Sequence, residues 1–311
     1  MRKLTFVFMG FLIIFSAGCQ ALEKKPDTLQ ADEEKVNEFK ETDYRKENYV
    51  RIQDYTGQGY KLNNSKKVNE EIAWSHQEEI DKAVKEFFLK NYHTKVQVNN
   101  MVSAADGAVV YVESVKEPKF HTFAIVPIQR KSVLINNIWS LEGKVEGAIA
   151  GSLYALAFEE EFQVLDDYIQ SMLEKHPIVG KPDEMIKNIG DQGYVTSYFF
   201  LAPLSKVYDE LVAKYLEQPT ITKQEIRKFL HTQKEELHRI NVSIEFYMEE
   251  EYTHPNQEIL DDIVAGLEEL EGIPPGSYSV HLNDNYIDKR RGIGKKKNTI
   301  KQSHPNKILK K

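Results

Sequence analysis

One cysteine in 311 residues excludes an intramolecular disulfide, a zinc site built from several thiols and an iron–sulfur cage. The fold must be held by packing. Long apolar runs are missing too: the stretch from Leu4 to Phe15 would make a helix of about 18 Å, short of the roughly 30 Å of bilayer hydrocarbon, so it does not read as a permanent span. Serine hydrolase signatures are absent. Gly151-Ser152 does not lie within G-x-S-x-G, and no serine is followed three residues later by lysine. What is present suits a globular chain. A hydrophobic content of 41% with 11% aromatics can fill a core, which excludes collagen-like, mucin-like and wholly disordered chains.

The start of the chain has the form of an export signal, with Arg2 and Lys3 ahead of the apolar run and small residues after it. Ser16-Ala17-Gly18-Cys19 resembles the bacterial lipobox, departing from it at Ser16, where leucine is usual. The resemblance implies removal of residues 1–18 and attachment of diacylglycerol to the Cys19 sulfur, with fatty chains such as palmitate. Each buried CH₂ would contribute about 0.8 kcal/mol, so the anchor would be stable. It also implies a lipoprotein on the outer face of a Gram-positive cell membrane, and an acylated Cys19 could not be a nucleophile.

Charge is unevenly placed. Forty-one cations against forty-eight carboxylates give −7, but ten of the cations and none of the carboxylates lie in 289–311, which leaves −17 for residues 1–288. The basic end reads first as a solvated tail. Anionic lipid or wall polymer would suit it as a partner, whereas nucleic acid is excluded for an exported protein. Residues 19–50, polar and weakly periodic, read as a flexible tether.

Periodicity organises the rest. Ile72, His76, Ile80, Val84 and Phe88 recur every fourth residue and predict one helix over 68–92. Three β-rich segments follow at 95–101, 108–115 and 120–128, with connections short enough for an antiparallel meander. A second helical region over 143–175, broken near Glu159-Glu160-Glu161, carries Gly143, Gly147, Gly151 and Ala155 as a smooth stripe for close packing on a sheet. Punctuation at His176-Pro177 and Gly180-Lys181-Pro182 divides the chain into halves, 51–178 and 179–288. In the second half a strand over 240–248 alternates, with Asn241, Ser243, Glu245 and Tyr247 expected to point outward. The expected fold is α+β: a largely antiparallel sheet with segregated amphipathic helices, in two packed α+β halves.

The leader with Cys19, the segments Gln53 to Tyr60, Val112 to Val115 and Phe120 to Pro127, and Leu282-Asn283-Asp284-Asn285-Tyr286 resemble those of an uncharacterised lipoprotein family of Gram-positive bacteria, a domain of unknown function. The resemblance implies location and supplies no catalytic residues.

Candidate chemistry is sparse. His121 and Glu113, on neighbouring strands of the meander, could form a general base if they faced a cleft. A structural cross-strand pair is the commoner outcome. His231, Glu235 and His238 fall at i, i+4 and i+7 of an expected helix over 223–238, on one side and within reach of one ion, yet Lys234, Glu236 and Arg239 around them favour a solvated face over zinc. Asn283, Asp284, Asn285 and Asp288 offer oxygen ligands, but without the glycine and terminal glutamate of an EF-hand loop they read as a turn. Glu249-Glu250-Glu251 and Glu159-Glu160-Glu161 read as solvated acidic runs. No cofactor is implied. The sequence therefore points to a binding or envelope-associated module without a catalytic set, against the rival of an envelope hydrolase or metal-dependent enzyme with a non-standard site.

Overall fold

A computed structural model describes residues 43–311, so the leader, Cys19 and most of the expected tether lie outside the described residues. Two sheets and a set of helices share one hydrophobic core. The first sheet is an antiparallel meander of β2 (Val96–Ser103), β3 (Gly107–Ser114), β4 (His121–Gln129) and the short β5 (Ser132–Val133). Alternation decides its faces. Ala108, Val110 and Val112 join Ala124 and Val126 in the main core, while Val109, Tyr111 and Phe123 form a second cluster with Tyr60 and Leu62 on the other side. The core side is covered by α1 (Lys67–Ser75) and α2 (Gln77–Tyr92), which bury Ala73, Ile80, Val84 and Phe88. The chain breaks between them at His76, whose ring Nδ1 lies 2.9 Å from the Ile72 carbonyl, so the fourfold stripe serves two helices instead of one.

Next come α3 (Lys144–Ala157) and α4 (Glu159–Lys175), broken at Phe158 as the acidic run suggested. Val145, Ala148, Ile149, Leu153, Tyr154 and Ala157 are buried on several sides of α3, which makes it the central helix and not a surface one. The glycine stripe needs correction. A Cβ at Gly151 would reach Leu201 of the second sheet at ordinary contact distance, 3.5 Å, whereas Gly147 faces open space and Gly143 has the left-handed conformation that starts the helix.

The second sheet combines β6 (Ile178–Val179), β7 (Phe199–Pro203), β8 (Ile240–Met248), β9 (Gly276–Asn283), β11 (Ile300–Gln302) and β12 (Ile308–Lys310). Its central pair, β8 and β9, is parallel and is joined through α9 (Gln257–Glu269); the other pairings are antiparallel. The fold is α+β, as the pattern of elements implied, with one parallel pair at its centre. Between β6 and β8 lie α5 (Asp183–Ile189), α6 (Lys206–Glu217), α7 (Lys223–His231) and the one-turn α8 (Lys234–Leu237). Helix α7 opens with a capping box, Thr222 accepting from the Glu225 amide while Glu225 accepts from the Thr222 amide. A last pair, β1 (Tyr49–Arg51) with β10 (Tyr286–Asp288), ties the entry segment to the end of the second sheet.

Three expectations are revised here. The boundary at 178 does not divide the core, because Val110, Phe162, Leu201, Ile244 and Val280 belong to one cluster. The end of the chain is not a tail: β11 and β12 run in the same direction along β9 as one interrupted edge strand, with Ile300 opposite Leu282 and Ile308 opposite Tyr278. Finally, the polar face of β8 is not solvated, since Ser243, Glu245 and Tyr247 are all buried. The side chains of Ile52, Tyr55, Met185, Ile189 and Ile287 pack around Tyr247 and roof that face. Among the described residues no helix is long and apolar enough to cross a membrane.

Candidate functional site

The roofed face of the second sheet contains a buried ionic network. Lys181 Nζ lies 2.7 Å from Glu245 Oε2, with the two side chains 11% and 7% exposed, so this is an ion pair out of water. Tyr247 Oη and Asn283 Nδ2 donate to Glu245 Oε1 at 3.0 and 3.2 Å. Burial alone would raise the Glu245 pKa. Lys181, Lys295 and the Tyr247 hydroxyl more than offset it and hold the carboxylate down at about 2. Directly opposite Glu245, His281 is buried with Nδ1 lacking any partner among the described residues, and burial followed by the charge of Lys295 pushes it down to about 4. The chain around Gly294 closes over Tyr247, where a Cβ would collide with the phenol ring.

These shifts fix a direction for pH dependence. A histidine depressed in the folded state is protonated more readily when unfolded, so stability falls as pH drops from about 6.5 to about 4. Glu245, depressed as well, adds a loss that begins below about 4.5 and continues toward 2. Asp166, raised to about 6 by burial, works in the opposite sense across part of that window. The share due to His281 is therefore read by difference: urea midpoints for His281→Gln should fall less between pH 7 and 4.5 than those of the unaltered chain, and equal falls would remove His281 from the account.

Residues 283–288 are occupied as a turn and not as a calcium loop. Asp284 takes Lys296 Nζ, Asn298 Nδ2 at 2.9 Å and the Tyr286 amide at 3.0 Å. Asn285 donates to the carbonyls of Met248 and Glu249 at 2.8 and 2.7 Å, and Asn283 accepts from Thr299 at 2.7 Å. The oxygens of Asn283 and Asp284 that a cation would need are committed to the protein, while Asn285 Oδ1 is buried without a partner among the described residues. Part of the acidic runs is committed as well: Lys223 reaches Glu159 and Glu160 at 3.0 and 2.9 Å, Arg227 pairs with Glu161, and Arg51 stands 3.4 Å from Glu251.

Glu113 and His121 are register partners across β3 and β4, and both line a cavity of about 390 Å³ with Gln97, Lys119, Tyr194 and Thr196. Burial lowers the His121 pKa, Glu113 opposes the shift, and Nδ1 has no partner among the described residues. The pair exists. Its imidazole is biased toward the neutral form, and the loop carrying Tyr194 is held beside it by reciprocal backbone bonds between His121 and Gly193 at 2.8 and 3.0 Å.

The other candidate set meets in an unexpected way. The helix expected over 223–238 is interrupted after His231, so His231, Glu235 and His238 do not share a helical face, and no cluster of three metal-ligating side chains occurs among the described residues. All three nevertheless line one cavity of about 790 Å³. Its walls include Phe158, Leu237, Ile273, Pro275 and Leu309. Arg227 crosses it with the guanidinium 5.2 Å above the Phe158 ring, Nη1 donating to Glu161 at 3.0 Å and to the Ala157 carbonyl at 2.9 Å. Lys310 Nζ donates to the Glu268 and Leu270 carbonyls, which finish α9.

Sequence reasoning missed Lys181, His281, Arg227 and Phe158. A charged residue in a strand of otherwise apolar alternation was the available signal for Glu245; nothing local marks Lys181 as its partner, 64 positions away. The cavity walls come from α3–α4, α7–α8 and β12, which only the tertiary fold assembles.

Comparison with known proteins bears on the fold. A solved structure of a DUF1672 family protein from Staphylococcus aureus is similar at a TM-score of 0.68 and 19% identity, over 85% of this chain and 98% of that one, a likeness of architecture. No curated protein matches the chain. The family profile described as "Protein of unknown function (DUF1672)" matches residues 42–310, from the entry segment to the last residue of β12. The single core and the interrupted edge strand therefore lie within the matched region, and the chain belongs to the DUF1672 family.

Proposed function

We propose that the chain is a lipid-anchored envelope protein that acts as a non-catalytic binding module, with its basic C-terminal edge directed at phosphodiester anions. The observation that carries the binding role is the fate of the ten cations of 289–311. Lys296 is committed to Asp284, Lys310 caps carbonyls and the Lys295 charge acts on Glu245, but Arg290, Arg291 and Lys301 are exposed on an ordered segment. Cations fixed on a sheet edge meet an anionic surface without the entropy loss of ordering a loose tail. Near an anionic membrane each contributes about 1 kcal/mol, screened by salt. The lipobox-like leader ending in Cys19 supports the location.

Two experiments test this reading. Cys19→Ala should abolish incorporation of labelled palmitate and release the protein or leave its precursor; unchanged labelling and retention would defeat the anchor. For the basic edge, the Cys19→Ser full chain should sediment with phosphatidylglycerol vesicles and not with phosphatidylcholine vesicles. Added salt should weaken the association, and the Arg290→Gln/Arg291→Gln/Lys301→Gln variant should lose at least tenfold. A soluble poly(glycerol phosphate) that competes at low concentration would make wall polymer the source of the phosphodiester; failure to compete leaves the lipid head group. Equal sedimentation of the variant would remove the edge from the mechanism.

A further inference from the structure

The cavity between α7, α8, β12 and the α3–α4 junction has the composition of a ligand site whose role the basic edge does not explain. Its volume, about 790 Å³, lies in the range of small-molecule pockets. Phe158, Leu237 and Ile273, each under 7% exposed, make an apolar floor, and Leu309 stands at the mouth with 60% of its surface exposed. A leucine left in water at the rim of an apolar hollow marks surface that an apolar ligand would cover.

Charge at the rim selects the other end of that ligand. Of the two carboxylates lining the cavity, Glu161 is neutralised by its bidentate pair with Arg227, which leaves Glu235 as the free acid. Against it stand Lys234 and the Lys311 side chain, neither of which has a carboxylate partner among the described residues, and the imidazoles of His231 and His238, while the Lys310 ammonium is taken up by the Glu268 and Leu270 carbonyls. Lys234, His231 and His238 are exposed. An apolar floor under a rim with excess cations and donors fits a molecule with one hydrocarbon chain and one anionic head.

We infer that this cavity binds a single-chain anionic amphiphile, such as a fatty acid or a lysophospholipid, with the chain over Phe158, Leu237 and Ile273 and the head group beside Lys234, His231 and His238. The Arg227–Glu161 pair is a wall element in this arrangement: its charges are mutually satisfied, and the guanidinium face lies on Phe158, so it closes the end of the apolar floor without attracting the head group.

The test uses the Cys19→Ser full chain purified without detergent, with dodecanoate, dodecanol and dodecyltrimethylammonium as probes in calorimetric titration below their micellar concentrations. Dodecanoate should bind with one-to-one stoichiometry, dodecanol at least tenfold more weakly, and the cationic probe more weakly still. Leu309→Asp, at an exposed rim position, and Lys234→Glu should each weaken dodecanoate at least tenfold with unchanged melting temperature. The Arg290→Gln/Arg291→Gln/Lys301→Gln variant, altered on the basic edge, should bind dodecanoate normally, so loss of vesicle binding and loss of this site are distinguishable. Absence of saturable dodecanoate binding, equal affinity for the three probes, or undiminished binding by both rim variants would overturn the inference.

Discussion

Glu245→Ala should lower the free energy of unfolding by about 3–5 kcal/mol, the cost of leaving a charge buried without its partner. Lys181 Nζ is 2.7 Å from the Glu245 carboxylate and is itself nearly inaccessible, so after the substitution an ammonium group remains under the roof formed around Tyr247 with no anion to face. The Tyr247 hydroxyl also loses its acceptor, and the Asn283 amide keeps only the Phe246 carbonyl, 3.2 Å away. Each unsatisfied buried group costs about 1–3 kcal/mol in its own right, and they relax together, so the sum is not additive. The diagnostic is the double variant. Adding Lys181→Met to Glu245→Ala removes the orphaned charge and fills the space with an apolar chain, and it should recover a large part of the loss. Urea unfolding of the two single variants and the double variant measures this as a coupling energy. A double variant that is simply the sum of the singles would mean that the pair does not act as a unit.

That network also shows why the sequence was readable in one place and not in another. The meander, the helical regions over 68–92 and 143–175 and the alternating strand over 240–248 followed from periods of two and of about four, which are local properties. The helix break near 159 and the turn at 283–285 followed from composition. What periodicity cannot tell is whether a polar face meets water or protein. Ser243, Glu245 and Tyr247 have the pattern of an exposed face, yet Met185 and Ile189 of α5, with Ile52 and Tyr55 of the entry segment, lie over it. Those covering residues are far away in the chain, and no local period ties them to the strand they cover. The same reason hid the cavity at Leu309. His231, Glu235 and His238 have the spacing of one helical face, but the helix is interrupted, and they line one cavity with Leu309 of β12. The basic end failed in the opposite sense: net charge suggested solvation, while Ile300 and Ile308, two apolar residues spaced to reach one face of a neighbouring strand, were the signal for an edge strand.

Removal of residues 289–311 should accordingly unfold the protein. A solvated tail could be cut with no change in melting temperature; an integral edge strand cannot. Cutting after Asp288 uncovers the β9 edge from Gly276 to Asn283, a row of backbone groups that then pair with water or with another chain. It takes buried Ile308 off Tyr278 and strips Lys296 and Asn298 from buried Asp284. It also opens the roof where the chain at Gly294 lies against Tyr247, exposing the Lys181–Glu245 pair to water, and deprives α9 of the Lys310 ammonium at its C-terminal carbonyls. Several of these losses are worth about 1–5 kcal/mol each, and a domain has about 5–15 kcal/mol in total. The truncated chain should therefore show no cooperative melt by circular dichroism, bind a hydrophobic dye at 25 °C and aggregate through the exposed edge. The Arg290→Gln/Arg291→Gln/Lys301→Gln variant, with the same backbone and fewer charges, should melt within a few degrees of the unaltered chain. That contrast separates the charge of this segment from its structural role: a truncated chain that melts cooperatively at the original temperature would return the segment to the status of a tail.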